Sequence, residues 1–162
     1  MKIRKTENGV TMIELVIVAV IIGVMSALAV PSFLNYSSKM EAKSKARNII
    51  STLRQARSKA ISERVQYGVF FDAANRRYIF FKDKVNPNSY LFEPGAGDSV
   101  VSRDTLTAKV NYGGNTFTNT TVVFKTDGGA SSSGDMQILP ASGGFTYNIN
   151  VLASTGRVKL TD

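Results

Sequence analysis

The sequence of 162 residues contains no cysteine and no histidine. Without cysteine there can be no disulfide, no thiolate metal ligand and no cysteine nucleophile. Without histidine the chain also lacks the commonest general base and the commonest metal-binding side chain. We therefore expect a protein that is not an enzyme and that holds no cofactor or metal.

A catalytic role would have to rest on carboxylates, lysines, serines and tyrosines. The aspartates, however, are scattered through predicted turns, where Asp is common for backbone reasons. The loop TDGGASSSGD, residues 126–135, is reminiscent of a calcium loop, but it does not follow the spacing of an EF-hand. An anchored enzyme is the alternative that these residues support least directly.

Charge is nearly absent from one long segment, because residues 10–38 carry a single charged side chain, Glu14. Residues 1–9 precede it with a net charge of +2, and residues 39–64 follow it with +6. The remainder of the chain carries only +1. The basic character therefore belongs mainly to the stretch after the apolar segment, and the C-terminal part is nearly neutral.

Residues 10–30 are long and apolar enough to cross a bilayer as a helix, which takes about 20 residues. The basic residues before them predict that the N-terminus stays in the cytoplasm. An ordinary signal peptide is the alternative, but its apolar stretch would be about 7–15 residues long and would end at a small-residue cleavage site. Here the run is longer, and a helical pattern follows it.

A second helical pattern follows Pro31, where apolar residues recur at spacings of three and four, as in an amphipathic helix. These residues are Ala46, Ile49, Ile50, Leu53, Ala56, Ala60 and Ile61. We predict one nearly continuous helix from about Val10 to about Ser62, about 80 Å long, with a kink or local melting at Pro31. Residues 10–35 would lie in lipid or against other helices, and residues 36–64 would dock on a domain.

From Val65 the period changes to two, which predicts strands. The first two strands, VQYGVFF and RRYIFFK, form a predicted hairpin with DAAN as its turn. Further predicted strands are TVVFK, MQIL and RVKL. FTYNINV places four residues on an apolar face: Phe145, Tyr147, Ile149 and Val151. Residues 85–114 give no clear element. The predicted fold is α+β, with the long helix on an antiparallel β-sheet domain of residues 65–162.

The segment from Gly9 to Leu15 resembles the cleavage and methylation motif of type IV prepilins and type II secretion pseudopilins. The resemblance implies that a prepilin peptidase cuts after Gly9, releases residues 1–9 and methylates Val10, which stands where most members have Phe. It makes Glu14 the acidic residue five positions into the mature chain. Pro31 matches the helix-kinking proline of the family.

Glu14 also stands out on physical grounds, because a carboxylate in a membrane span costs about 2.5–3.5 kcal/mol on insertion scales. One hypothesis is that it snorkels to the nearby cytoplasmic interface. The other starts from cleavage, which creates a positive amine on Val10 at nearly the same depth. Two paired buried charges cost far less than one, so Val10 of an incoming subunit could meet Glu14 of its neighbour and set the axial register of a filament.

The rest of the chain resembles the GspH/FimT minor pilins and pseudopilins at residues 53–72, 122–129 and 149–160. This implies a minor subunit of a type IV pilus or of a type II secretion pseudopilus, supporting fibre initiation and secretion. Its partners would be other pilins or pseudopilins, the prepilin peptidase and inner-membrane lipid. The chain would cross the inner membrane once, hold its domain in the periplasm, and later join a periplasmic or cell-surface fibre.

A DNA-binding function is the alternative, because some FimT-type minor pilins capture DNA through a Gly-Arg-x-Arg turn. The matching residues are Gly156-Arg157-Val158-Lys159, in which Lys159 keeps the charge but loses the bidentate fork of Arg. Arg157 and Lys159 are therefore candidate DNA contacts. The other interpretation is that Gly156 forms a hairpin turn and both cations are solvated.

Three cations of the basic segment, Lys39, Lys43 and Arg47, recur every four residues on one face of the predicted helix. In a membrane-proximal helix they could contact lipid headgroups. They could equally pair with acidic residues of neighbouring subunits, or simply be solvated.

Overall fold

The computed structural model describes residues 9–85 and 89–161. Residues 1–8, most of the predicted leader, lie outside the described residues. A long α-helix, α1, spans Met12–Glu63. The chain divides into two compact units, Met1–Ser37 and Ser38–Asp162.

The first unit consists of the apolar half of α1, and every residue from 9 to 36 in it is exposed. The helix is continuous through Pro31. The local melting considered at this position therefore does not occur, while a bend there stays a prediction. The apolar residues that the sequence placed in lipid or against other helices have no cover within this unit.

The second unit uses the amphipathic half of α1, whose apolar stripe lies in the core. The buried members are Ala42, Ala46, Ile49, Ile50, Leu53, Ala56 and Ala60. The predicted stripe is thus confirmed except at Ile61, which is 47% exposed. Four of the buried residues are alanines, which allow the helix backbone to approach the strands closely.

Eight strands lie within the described residues: β1 Tyr67–Asp72, β2 Arg77–Lys82, β3 Ser99–Thr105, β4 Val110–Asn115, β5 Thr121–Phe124, β6 Gly134–Pro140, β7 Tyr147–Leu152 and β8 Arg157–Thr161. They form two four-stranded sheets instead of one, with strand orders β3-β2-β1-β5 and β4-β6-β7-β8. All the strand pairs in both sheets are antiparallel. Residues from both sheets and from α1 share one hydrophobic core.

The sequence missed two strands, β3 and β4, because neither shows a clean alternation. β3 is an edge strand with mostly exposed or half-buried residues. β4 contains Gly113 and Gly114 at an irregularity in its pairing with β6. Phe145 is a further correction: β7 begins at Tyr147, and Phe145 lies outside it and is 52% exposed.

Two buried aspartates hold the loop between β2 and β3. Asp98 accepts hydrogen bonds from the backbone N–H groups of Lys84 at 3.0 Å and Glu93 at 2.8 Å. Asp83 is only 3% exposed, and within the part of the chain that the structure describes its Oδ2 has no hydrogen-bond partner. Burial, together with the nearby charges of Asp98 and Glu93, raises the pKa of Asp83 to about 6.

Because α1 buries only one face, substituting two isoleucines of this helix should lower the free energy of unfolding by different amounts. Ile49 is fully buried, so Ile49→Ala should lower the free energy of unfolding of the second unit by about 2–5 kcal/mol. Ile61→Ala removes the same atoms from a half-exposed site and should cost less than about 1 kcal/mol. Urea denaturation of residues 36–162 measures both; equal losses would contradict this packing.

The raised pKa of Asp83 predicts a pH-dependent stability. Because the folded state binds this proton more tightly than the unfolded chain, the ionised carboxylate destabilises the fold above its pKa. Asp83→Asn should therefore raise the free energy of unfolding by about 1–2 kcal/mol near pH 7, allowing for solvent screening. The gain should disappear as the pH falls through about 6 towards 4.

Asp98→Asn is the control, because that carboxylate is already hydrogen-bonded to two backbone N–H groups. Its loss should destabilise the domain near neutral pH. An Asp83→Asn variant no more stable than the parent near neutral pH would contradict the inferred ionisation.

Candidate functional site

The N-terminus of α1 is organised around Thr11 and Glu14. The Thr11 hydroxyl oxygen accepts a hydrogen bond from the backbone N–H of Glu14 at 3.3 Å. The Thr11 carbonyl accepts the bond from Leu15 N–H at 3.2 Å, so Thr11 is the residue that caps the helix. Thr-x-x-Glu is the sequence of a capping box, a signal that the sequence analysis overlooked.

This geometry gives Glu14 a local reason to be acidic. It lies in the first turn of α1, where the helix dipole favours a negative charge. The side chain is also exposed, as are its neighbours Ile13 and Leu15. Glu14 is therefore a carboxylate in an otherwise apolar surface, placed at the helix end that tolerates it best.

Gly9 and Val10 lie just before this cap. Among the described residues no atom comes within 4 Å of the position that a side chain would take at Gly9. Val10 is 71% exposed. The fold therefore places no steric demand on Gly9, and a requirement for glycine there would have to come from a partner that acts on the chain.

The surface that continues from Glu14 along the first unit is apolar on all sides. In the described part of the chain, α1 is the one helix long and apolar enough to cross a membrane by its length and composition. Exposed apolar patches of this extent mark membrane or protein contacts. Residues 10–36 are thus the candidate membrane and assembly surface.

The turn between β7 and β8 packs directly against α1. Gly156 adopts a positive φ of 60°, and a side chain there would collide with the carbonyl oxygen of Gly128. Arg57 of α1 donates a hydrogen bond from Nε to that same carbonyl at 3.0 Å. The glycine of the Gly-Arg-Val-Lys segment is therefore required by the turn, whatever else the segment binds.

This contact brings Arg157 next to two arginines of α1. A groove of about 490 Å³ is lined by Arg54, Arg57, Ser58, Ile61, Gly156, Arg157 and Val158. We call it the arginine groove. Arg54 and Arg157 are exposed, whereas Arg57 is half-buried. Nothing in the sequence pattern indicated that Arg54 and Arg57 would join Arg157.

Lys159 does not line this groove. It lies two residues further along β8 and lines a separate depression of about 540 Å³, together with Asp135, Asn148 and Asn150. Asp135 accepts a hydrogen bond from the Asn150 side chain at 2.7 Å. The two cations that the sequence paired as candidate DNA contacts therefore line different depressions.

The basic face of α1 is divided in a similar way. Lys39 places its Nζ 3.4 Å from the centre of the Phe145 ring. Arg47 is exposed and lines a depression with Arg54 and Leu160. Lys43 is half-buried. The three cations thus have different surroundings.

Two models of known families match this chain, one over most of the second unit and one over the N-terminal segment. The family model of the type II transport protein GspH matches residues 45–156. The chain belongs to the GspH family. A model of the prokaryotic N-terminal methylation motif matches residues 4–30, which include Gly9, Val10 and Glu14. The predicted family is thereby confirmed.

Relatives of this GspH-family chain include pilins. The chain is 31% identical over 94 residues to the type IV major pilin protein PilA of Myxococcus xanthus (strain DK1622). That match covers 58% of this chain and 40% of PilA, so the chain spans well under half of this curated relative.

Solved structures share the fold. The minor pseudopilin EpsH of the Vibrio cholerae type II secretion system superposes with a TM-score of 0.57 at 17% identity, covering 75% of this chain and 96% of EpsH. The type IV minor pilin FimU of Pseudomonas aeruginosa PAO1 gives a TM-score of 0.58 at 14% identity, covering 78% and 92%. The predicted pilin fold, a long N-terminal helix on antiparallel strands, is thus confirmed.

Proposed function

We propose that this chain is a minor pilin or pseudopilin that assembles through α1 into a type IV pilus or a type II secretion pseudopilus. There it would support fibre initiation and, in the latter case, protein secretion. The observation that carries the proposal is the uncovered apolar surface of residues 10–36 with one carboxylate in it, on a chain matched by the GspH and methylation-motif models.

Before assembly, residues 10–35 would cross the inner membrane with the N-terminus in the cytoplasm and the domain in the periplasm. The charge distribution supports this orientation, because the basic residues Lys2, Arg4 and Lys5 precede the apolar run. A prepilin peptidase would then cut after Gly9 and methylate Val10. The open surroundings of Gly9 are compatible with access by such an enzyme.

A comparison of two free energies supports a charged partner for Glu14. A favourable place at a helix N-terminus contributes about 0.3–1 kcal/mol. The cost of a carboxylate within a membrane span is about 2.5–3.5 kcal/mol. The helix end therefore offsets only part of the cost, and a cation has to supply the rest unless the side chain reaches the interface. The Val10 amine of a neighbouring subunit, created by cleavage, would be that cation.

DNA binding is a second candidate function, and the arginine groove is the observation that favours it. Arg54, Arg57 and Arg157 present guanidinium groups around one groove, and guanidinium groups pair well with phosphate. None of the described residues that line the groove is aromatic, so base stacking would not contribute there. Contact through phosphates alone would be independent of sequence and weakened by salt.

The assembly proposal predicts that Glu14→Ala is processed but excluded from filaments. Removing the carboxylate leaves the Val10 amine of the next subunit without its partner, while the cleavage site is unchanged. Mass spectrometry should find methyl-valine at position 10 and no residues 1–9 in both the parent and the variant. The amount of variant in purified fibres, measured by immunoblotting, should fall close to zero.

Glu41→Ala is the matched control, because it removes a carboxylate from the same helix outside the apolar segment. It should enter fibres at the parental level. Normal stoichiometry of Glu14→Ala in the fibre would show that the proposed charge pair is not needed.

The DNA candidate is tested by a gel shift with residues 36–162 and duplex DNA at low and physiological salt. The parent should bind at low salt, and Arg54→Ala/Arg157→Ala should lower the log–log salt slope by about two by removing two phosphate contacts. Lys159→Ala should have a smaller effect, because Lys159 lies outside the groove.

Lys84→Ala/Arg103→Ala removes the same charge from exposed positions beside the other sheet and serves as the control. Binding that is absent at low salt would dismiss the candidate. Equal losses of DNA binding in the groove variant and in this control would also dismiss it. They would show that binding depends on positive charge in general and not on the arginine groove.

A further inference from the structure

An aromatic side chain and a cation stand together at the tip of the β6–β7 loop. Residues 141–145 are all exposed, and Gly143 and Gly144 turn the chain with φ values of 75° and 88°. Phe145 follows them, and Lys39 of α1 lies over its ring, with Nζ 3.4 Å from the ring centre. We call these two residues the loop-tip pair.

Phe145 is unusual within its unit. In the described part of residues 38–161 it is the most exposed large apolar side chain, at 52%. Met40, the neighbour of Lys39 in α1, is 51% exposed. The loop tip and the adjacent part of the helix thus leave apolar surface uncovered, next to the positive charges of Lys39 and Lys43.

The position of Lys39 in the sequence indicates what covers this surface. The proposed function places residues 10–35 across the bilayer, somewhat more than the about 20 helical residues that a hydrocarbon core about 30 Å thick takes. The headgroup layer adds about 5–7 Å on each side, or about three to five more helical residues. Lys39 is the fourth residue beyond this span in the helix α1.

We infer that the loop-tip pair is a lipid-contact site, which docks the β6–β7 loop on the headgroup layer. The site takes anionic phospholipid: Phe145 enters the interface beside the acyl chains, and Lys39 pairs with a lipid phosphate. Side chains with an apolar body and a cation nearby suit this layer. The inference rests on the membrane anchoring in the proposed function.

Lipid fits these observations better than a protein partner does. Lys39 follows the proposed span closely in the sequence, so the covalent connection alone keeps it near a bilayer before assembly, without any second molecule. The charge also matches, because Lys39 and Lys43 are the cations nearest to the proposed span in the sequence and lipid phosphates are negative. A contact with a second copy would instead depend on the protein concentration.

The absence of tryptophan from the sequence allows a single-tryptophan test. The full chain carrying Phe145→Trp is reconstituted into vesicles of phosphatidylcholine and phosphatidylglycerol that contain lipids with nitroxide near the headgroup. Leu152→Trp is the matched control, because Leu152 is 45% exposed at the opposite end of β7. Phe33→Trp reports on the anchor itself.

Tryptophan at 145 should show blue-shifted emission and quenching several times stronger than tryptophan at 152. Lys39→Gln should reduce this difference in vesicles with phosphatidylglycerol and change it less in pure phosphatidylcholine. The quenching should persist when the protein is diluted into excess lipid, because it depends on lipid alone.

Quenching at 145 no stronger than at 152, with strong quenching at 33, would overturn the lipid contact and leave the anchoring intact. A signal at 145 that disappears on dilution into lipid would overturn it in favour of a second copy. If tryptophan at 33 were also unquenched, the anchoring in the proposed function would fail together with the inference.

Discussion

The constraint on which the rest depends is an apolar helix surface that its own unit leaves uncovered. Every described residue up to Tyr36 is exposed, and burying apolar surface stabilises by about 25 cal/mol per Å². Such a surface has to be met by lipid or by other helices. Membership of the GspH family fits this demand, since pilins and pseudopilins are structural subunits. In the proposed cycle, lipid covers the surface first and neighbouring subunits replace it.

Glu14 connects the local chemistry of the helix with the proposed assembly. Its backbone N–H is capped by Thr11, and the first turn is where an acidic residue is tolerated best. That local reason explains why a carboxylate can exist there, but it does not cover the cost of placing it among apolar neighbours. The capping role and the proposed pairing with Val10 are therefore compatible: one fixes the position of the carboxylate and the other uses its charge.

The basic segment shows why a count of charges does not define a binding site. The fold gives the cations of this segment different partners, since Lys45 binds Asp104 at 3.0 Å and Lys39 lies over an aromatic ring. Only some of its arginines come together with Arg157, because the β7–β8 turn packs against Arg57. The candidate for phosphate contact is thus three arginines around one groove, and Lys159 belongs to another surface.

The sequence by itself determined the elements whose signal is local: the apolar run, the buried stripe of α1, and the hairpin of β1 and β2. Periodicity and turn residues within a few positions are enough for these. Tertiary structure alone decided the division into two sheets, the arginine groove and the contact of Lys39 with Phe145. Each of these brings together residues that are far apart in the chain. Arg57 and Gly128, for example, are 71 positions apart. Such pairs depend on how strands order themselves around the helix, and no short pattern of residues encodes that.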